Sequence, residues 1–426
     1  MPSFHHLQHH IHRYGLKNKP LYLLSSVILF YALFDGVITY TTPLLLTEAG
    51  FSQSMMGFII GTSSITGMIF DFIICRIFKN ANFRKIFLAV FVLCSLYPLV
   101  LGSANSIWAF LLAMGIWGIY FDLGNFGSLN FLSKYVKPKE HISSAGVFQV
   151  FKSCASILAP LFAGLAIGTQ VGWKPFILAW LFLGIAFVFF LALLFVSKNQ
   201  KEIVSHTALS SSRPLRMSLL KELHLWIMTI TMLRPLLLLM VLVTIYGSFF
   251  WTIGPLFAQE FTGLEGFEGL FITAYELPFV ISGWFVGSLA LKMGKERAAL
   301  FAFLIGSILM ATISLTHQPA IILALIFSSS FFISFCIPTL NGVYANYISE
   351  APAIEKEIEG VNDMSFNMGY IIGPMLAGFL AENFGYAQAF STIAIIGTIC
   401  GLLLIKTVSQ KVPLKNLYDY ASSIEP

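Results

Sequence analysis

The chain has 426 residues, 57% of them hydrophobic, and carries only 25 basic and 20 acidic side chains, 11% charged in all, against about 25% in an ordinary soluble domain. That balance excludes a soluble globular enzyme; at ~20 apolar residues per crossing it leaves room for about twelve membrane-spanning helices and little else. A net charge of +5 and a pI near 8.8 would suggest nucleic acid in a soluble protein, but here the placement of the basic residues decides their meaning.

Residues 1–20 are polar. Their His5, His6, His9, His10 and His12 could hold a metal if helical, but a disordered tail is the simpler reading. The first apolar run is a full span rather than the short core of a cleaved signal. Apolar runs at about 22–46, 54–77, 84–103, 107–133, 142–168, 173–196, 235–259, 267–291, 298–315, 319–347, 360–381 and 387–406 give twelve spans. The longest hydrophilic stretch, 197–222, falls between the sixth and seventh spans, and 215–233 reads as an amphipathic helix at the membrane interface. The predicted organisation is a tail (1–20), a six-helix bundle (21–196), a linker with its interfacial helix (197–234), a second bundle (235–406) and a second tail (407–426). The fold class is all-α and polytopic, with the two bundles related by a pseudo-two-fold axis.

Orientation follows from the lysines and arginines. With the N-terminus cytoplasmic, 23 of the 25 fall in inside segments; only Lys174 lies in an outside loop and only Lys152 within a span. By the positive-inside rule this places both termini in the cytoplasm of a cell (inner) membrane, with the basic face toward anionic lipid and not nucleic acid. Cys75, Cys94, Cys154, Cys336 and Cys400 all sit in apolar runs, which argues against a disulfide framework, and no metal-binding spacing occurs.

The two halves repeat. Gly146, Ala155, Ala159-Pro160 and Ala163-Gly164 in the fifth span recur as Gly360, Gly369, Gly373-Pro374 and Ala377-Gly378 in the eleventh, at a constant offset of 214. Pro43 and Glu48 recur as Pro255 and Glu260 at an offset of 212, and Gly67 and Arg76 as Gly283 and Lys292 at 216. Ordered anchors at a nearly constant offset indicate duplication of a six-helix unit.

On these residues the chain resembles the major facilitator superfamily of secondary transporters over about residues 20–406. Gly287 to Lys292, Gly294, Lys295 and Arg297 are similar to that superfamily's cytoplasmic signature, although Leu291 stands where its acid would be. The first-half copy keeps Gly67, Asp71 and Arg76 at a looser spacing. The Gly/Ala-Pro pattern of the fifth span resembles the drug–proton antiporter motif, with Ala for Gly at 155, 159 and 163. The resemblance implies twelve helices, alternating access, a proton as coupling ion, a small organic solute, and gate or packing roles for Gly67, Asp71, Arg76, Gly146, Pro160, Gly164, Gly283, Gly287, Lys292, Gly294, Lys295, Arg297, Gly369, Gly373, Pro374 and Gly378. The same basic clusters are also topology determinants. Small residues at every fourth position allow close helix approach where lipid supplies no hydrophobic drive.

Asp35, Asp122 and Lys152 fall near mid-depth in the first, fourth and fifth spans, and Glu276 a third of the way into the eighth. An ionised group at bilayer centre costs ~2.5–3.5 kcal/mol on the lenient scale, so these must face one another or a wet cavity. Gln149, Lys152, Ser153 and Ser156 form one polar stripe on a helix. Lys152 is expected to pair with Asp122 or Asp35, either as a fixed ion pair or as one that releases a carboxylate for a proton during transport. Tyr31, Trp117, Tyr120, Trp251, Tyr275 and Trp284 are candidates for an aromatic cavity lining, and Asn341, Asn346, Asn362, Asp363 and Asn367 for solute contacts, against packing or solvation as the plain alternative. No P-loop, catalytic triad or H-E-x-x-H is present. The expected function is therefore a monomeric, proton-coupled exporter of a small organic solute that needs no cofactor. A proton symporter importing a nutrient, or a membrane enzyme or scaffold without flux, are the alternatives.

Overall fold

A computed structural model describes residues 19–77, 82–136, 141–168, 170–197, 219–261, 266–282, 294–350 and 354–408. It is built from helices α1 (Lys19–Glu48), α2 (Gln53–Ile77), α3 (Phe83–Gly102), α4 (Ile107–Tyr135), α5 (His141–Ile167), α6 (Lys174–Ser197), α7 (Leu219–Gln259), α8 (Leu270–Ser282), α9 (Lys295–Ala311), α10 (Pro319–Ile333), α11 (Cys336–Glu350), α12 (Glu355–Phe384) and α13 (Tyr386–Val408). Among the described residues there is no strand. Helices are the form such chain must take, because hydrocarbon offers backbone N–H and C=O groups no partner outside the segment. Among the described residues ten helical stretches are long and apolar enough to cross a membrane, with α10 and α11 counted together; α2 and the shorter α8 stand at the second and eighth predicted spans.

Hydroxyls inside the spans are largely absorbed by their own helices. Ser25, Thr41, Thr42, Thr229, Thr244 and Ser365 each donate to a carbonyl one turn back, at 2.7–2.9 Å. Their presence in apolar runs therefore carries no functional weight. Helix starts follow local chemistry. Ser106 caps α4 by accepting from the Ala109 N–H at 3.4 Å, and Asn82 caps α3 through Arg84 N at 3.3 Å. The guanidinium of Arg84, expected in the cytoplasmic basic cluster, donates to the Ser197 carbonyl (3.0 Å) and hydroxyl (3.3 Å), closing the end of α6.

Two spans depart from expectation. The tenth is interrupted at Ser334 and Phe335, where Ser334 Oγ donates to Phe331 O at 2.8 Å and Cys336 Sγ to Ala299 O at 3.4 Å. Of the helix expected at the interface over 215–233, the described part from Leu219 runs instead without a break into the seventh span as α7, with Pro235 inside it; 215–218 lie outside the described residues. Leu225, Thr229 and Leu233, four residues apart, are buried, so this face is covered by protein rather than by lipid headgroups. Trp226 lies against Gly360 of α12, where a Cβ would collide with the indole.

By spatial proximity the chain divides into two compact units, one of Met1–Thr42 with Thr66–Ala208 and the other of Pro43–Ile65 with Leu209–Pro426. The first is centred on α3 and α4, with Phe87 and Phe91 meeting Phe190 at 6.0 and 5.3 Å. In the second, α7 packs most extensively on α12, and α9 joins α13 and α10.

Small residues decide the closest helix approaches. In the first unit, Gly36 of α1 faces Ala159 of α5; a Cβ on Gly36 would stand 2.6 Å from the alanine methyl. In the second, Gly369 and Gly373 of α12 face Thr244 and Ser248 of α7, with no room for a Cβ at either glycine. Residues 36 and 248 are 212 apart, and 159 and 373 are 214 apart, so one contact recurs in both copies with the missing methyl on opposite walls. This accounts physically for alanine at 159, where the antiporter-like pattern has glycine.

Candidate functional site

In the first unit the charged residues converge. Asp35 Oδ1 accepts from the indole N–H of Trp117 (3.0 Å) and the phenol of Tyr120 (2.8 Å). The Lys152 ammonium acts on Asp35 electrostatically and lies 5.0 Å from the centroid of the Phe121 ring, a cation–π distance. Asp122 sits against Gly67 of α2; a Cβ there would occupy the space of its carboxylate. Tyr31 donates to the Tyr120 carbonyl at 3.4 Å, meets the Tyr120 ring edge-on at 6.3 Å, and has Asp35 and Asp122 within electrostatic reach of its phenol. Helices α1, α2, α4 and α5 thus bring two carboxylates, one ammonium and three aromatic donors together. Along α5, Gln149 donates to Ser153 Oγ (3.4 Å) and Ser156 to the Lys152 carbonyl (3.2 Å); Gln149 is exposed and the other three are half-buried.

The second unit holds its own carboxylate. Trp251 of α7 donates to Glu276 Oε1 of α8 at 3.1 Å. Tyr275 stacks on Phe250 with centroids 4.0 Å apart. The phenols of Tyr275 and Tyr370 converge on Gly247, 3.0 and 3.4 Å from where a Cβ would stand, and Glu276 lies within electrostatic reach of both. Each unit therefore holds a carboxylate within an apolar run by an indole N–H. Sequence reasoning missed Tyr97, whose ring lies 5.4 Å from that of Tyr120, and Tyr370. The latter had a signal, since it follows Asn367 by three positions on one helix face.

The family model described as Major Facilitator Superfamily matches residues 24–354. The chain belongs to the Major Facilitator Superfamily. The superfamily's all-α, twelve-helix membrane fold is borne out by solved structures. The nucleoside transporter NupG is 13% identical, with a TM-score of 0.71, over 92% of this chain and 100% of that one. A peptide transporter, POT, in a mutant form bound to alafosfalin is 13% identical with a TM-score of 0.72, over 94% and 95%. A bacterial homologue of the human lysosomal transporter Spinster, inward-facing and unoccupied, is 13% identical with a TM-score of 0.66, over 95% and 96%. No curated protein matches the sequence. The superfamily consists of secondary transporters, so this chain is a transporter and not an enzyme.

In the segment that resembles the superfamily signature, Gly294 precedes α9 at φ +85°, a conformation that suits glycine. Lys295 donates to Gly342 O and to Asn346 Oδ1, both at 3.0 Å, tying α9 to α11. Asn346 is thereby a partner of Lys295. Arg297, Gly146, Asn341 and Asp363 are exposed, Asn362 and Asn367 half-buried, and Pro160, Gly164, Pro374 and Gly378 buried. Asp71 and Arg76 are helical, but their side chains lie outside the described residues, as do Gly283, Trp284, Gly287, Lys292 and the histidine-rich tail.

Proposed function

We propose that the chain is a proton-coupled exporter of a small organic solute, acting as a monomer by alternating access between the six-helix halves 21–196 and 235–406, with both termini in the cytoplasm of the cell (inner) membrane. The cluster of Asp35, Asp122 and Lys152 carries this reading. Two carboxylates and one ammonium at mid-depth leave an excess negative charge that a proton or a cationic group must balance, because an unbalanced ion there costs ~2.5–3.5 kcal/mol or more. Lys152 acts on Asp35 in this structure; transfer of its charge toward Asp122 in the opposite state would free one carboxylate to take a proton and the other to give one up. Glu276, held by Trp251, is the corresponding acid of the other half. Tyr31, Trp117, Tyr120, Trp251, Tyr275, Gln149, Ser153, Ser156, Asn341 and Asn367 supply candidate solute contacts.

Export is favoured by the antiporter-like pattern of the fifth span. Import by symport is the second reading, kept open by alanine at 155, 159 and 163. Flux into or out of proteoliposomes under an imposed pH gradient, across a panel of organic solutes, decides both. Solute moving against the direction of proton flow supports export, and solute moving with it supports symport. Lys152→Ala, Asp122→Asn and the double variant should each insert normally and lose gradient-driven flux by at least about tenfold, as expected for loss of a buried charge partner. Wild-type rates in all three would remove the cluster from the mechanism.

A further inference from the structure

At the outer end, on the orientation given by the basic residues, the start of α2 is bound to the end of α12. Gly57 lies under the Pro374 carbonyl and 3.3 Å, measured from its would-be Cβ, from the Cα of Gly378. Gly61 meets the Ile371 carbonyl one turn on, and Gly378 in turn lies against the backbone of Gln53 and Ser54. Glycines at i and i+4 on one helix thus face a Pro–Gly pair at i and i+4 on the other, the spacing at which two backbones touch. Polar groups close the end of this seam. Glu382 accepts from the Ser54 backbone N–H at 2.8 Å and from the hydroxyls of Ser52 and Ser54. Gln53 Nε2 donates to the Tyr386 hydroxyl at 2.6 Å. The first turn of a helix has N–H groups with no partner in the helix and a partial positive charge; here an acid from a helix more than three hundred residues away provides for both. The division of the chain follows the same seam, since Pro43–Ile65 groups with Leu209–Pro426 and not with the rest of its own half.

We propose that Glu382, assisted by the Gln53–Tyr386 bond, is a latch that holds the outer side shut, and that its release from the α2 N-terminus is a required step in opening toward the outside. The proposal rests on alternating access, but not on the solute or the coupling ion. The glycine seam allows the helices to touch without committing them, because it offers backbone contact and little buried side chain. The carboxylate supplies the directional, breakable part. In the open state Glu382 is satisfied by water and the first turn of α2 is solvated, so the two states differ by a charge-assisted contact and not by an unmet one.

The test uses the full chain in nanodiscs with its native cysteines, other than the buried Cys94, replaced by serine. Met375→Cys then places a thiol in the seam, since the Met375 side chain comes within 3.4 Å of a Cβ built on Gly61. Alkylation by a membrane-impermeant maleimide is followed at both thiols. Glu382→Gln and Glu382→Ala should raise the rate at position 375 about two- to fivefold, the range expected for a charge at a helix terminus, with Cys94 unchanged. Gln53→Ala should raise it less. Equal rates in the Glu382 variants overturn the latch, as does an equal rise at Cys94, which would mean general loosening. If the Glu382 variants are not monodisperse, Gln53→Ala decides alone. Labelling needs no solute, so the latch can fail while transport stands, and transport can fail while the latch stands.

Discussion

A carboxylate inside a bilayer needs donors more than it needs a countercharge, because each unmet lone pair there lacks water as a fallback. Asp35 has two donors from one helix face, Trp117 and Tyr120. Hydrogen bonds to a charged group contribute about 1.5–3 kcal/mol, so Trp117→Phe should lower the unfolding midpoint in detergent by a readily measured amount. In an Asp35→Ala background the same change should cost less than half as much, since the double-mutant cycle isolates the bond; equal costs would mean the indole acts by packing alone. Gly67 makes a second prediction at this scale. Because Asp122 occupies the space a methyl would take, Gly67→Ala should reduce gradient-driven flux as Asp122→Asn does, with expression retained. A purely hinge-like glycine would instead leave flux sensitive to bulk but indifferent to Asp122. The partners of Asp35 were not legible in the sequence, for they lie 82 and 85 positions away on a different helix. Only the cost of the charge was.

Among the helices, the recurring contact between α1 and α5 and between α7 and α12 yields the sharpest expectation. Gly36→Ala brings two methyls to 2.6 Å and should destabilise by about 1–3 kcal/mol, as overpacking does. Adding Ala159→Gly should restore most of it. Gly373→Ala should be destabilising in the same range and Ser248→Gly should rescue it. Thermal unfolding of the four single and two double variants measures this directly, and absence of rescue would mean that the helices separate rather than repack. Apolar length made the spans readable from the sequence, and duplication made the fifth and eleventh recognisable as counterparts. Two features were missed. A separate interfacial helix was expected where α7 continues, because the packing of Leu225, Thr229 and Leu233 outweighs the backbone bond lost at Pro235. The interruption at Ser334 and Phe335 falls where Pro338 can offer no N–H to the carbonyl four residues back, a signal the reading by apolar length passed over; Ser334 Oγ donates to Phe331 O beside it, while Cys336 Sγ reaches across to Ala299 O of α9.

For the molecule as a whole, the positive-inside count makes a topological prediction that is independent of transport. Protease added outside intact cells should leave tags at both termini uncut, whereas a cleavage site inserted beside Lys174 should be cut; the opposite pattern would invert every inside and outside assignment made from charge. Membership of the superfamily settles that the chain moves a solute, and the sequence carried that much in its duplicated anchors. The polar groups at the ends of the spans were harder to read. Glu382 and its partner Ser54 are 328 residues apart, a distance over which no periodicity speaks.

The methyl that is absent from α1 in one copy and from α12 in the other has a consequence for how this sequence can change. Positions 36 and 159, and likewise 248 and 373, behave as single heritable units. A library that randomises one member would score glycine or alanine there as indispensable, whereas a library that randomises both would recover the mirror solution already present in the other half. Drift at this contact therefore moves in pairs, and the two copies record two endpoints of one such exchange.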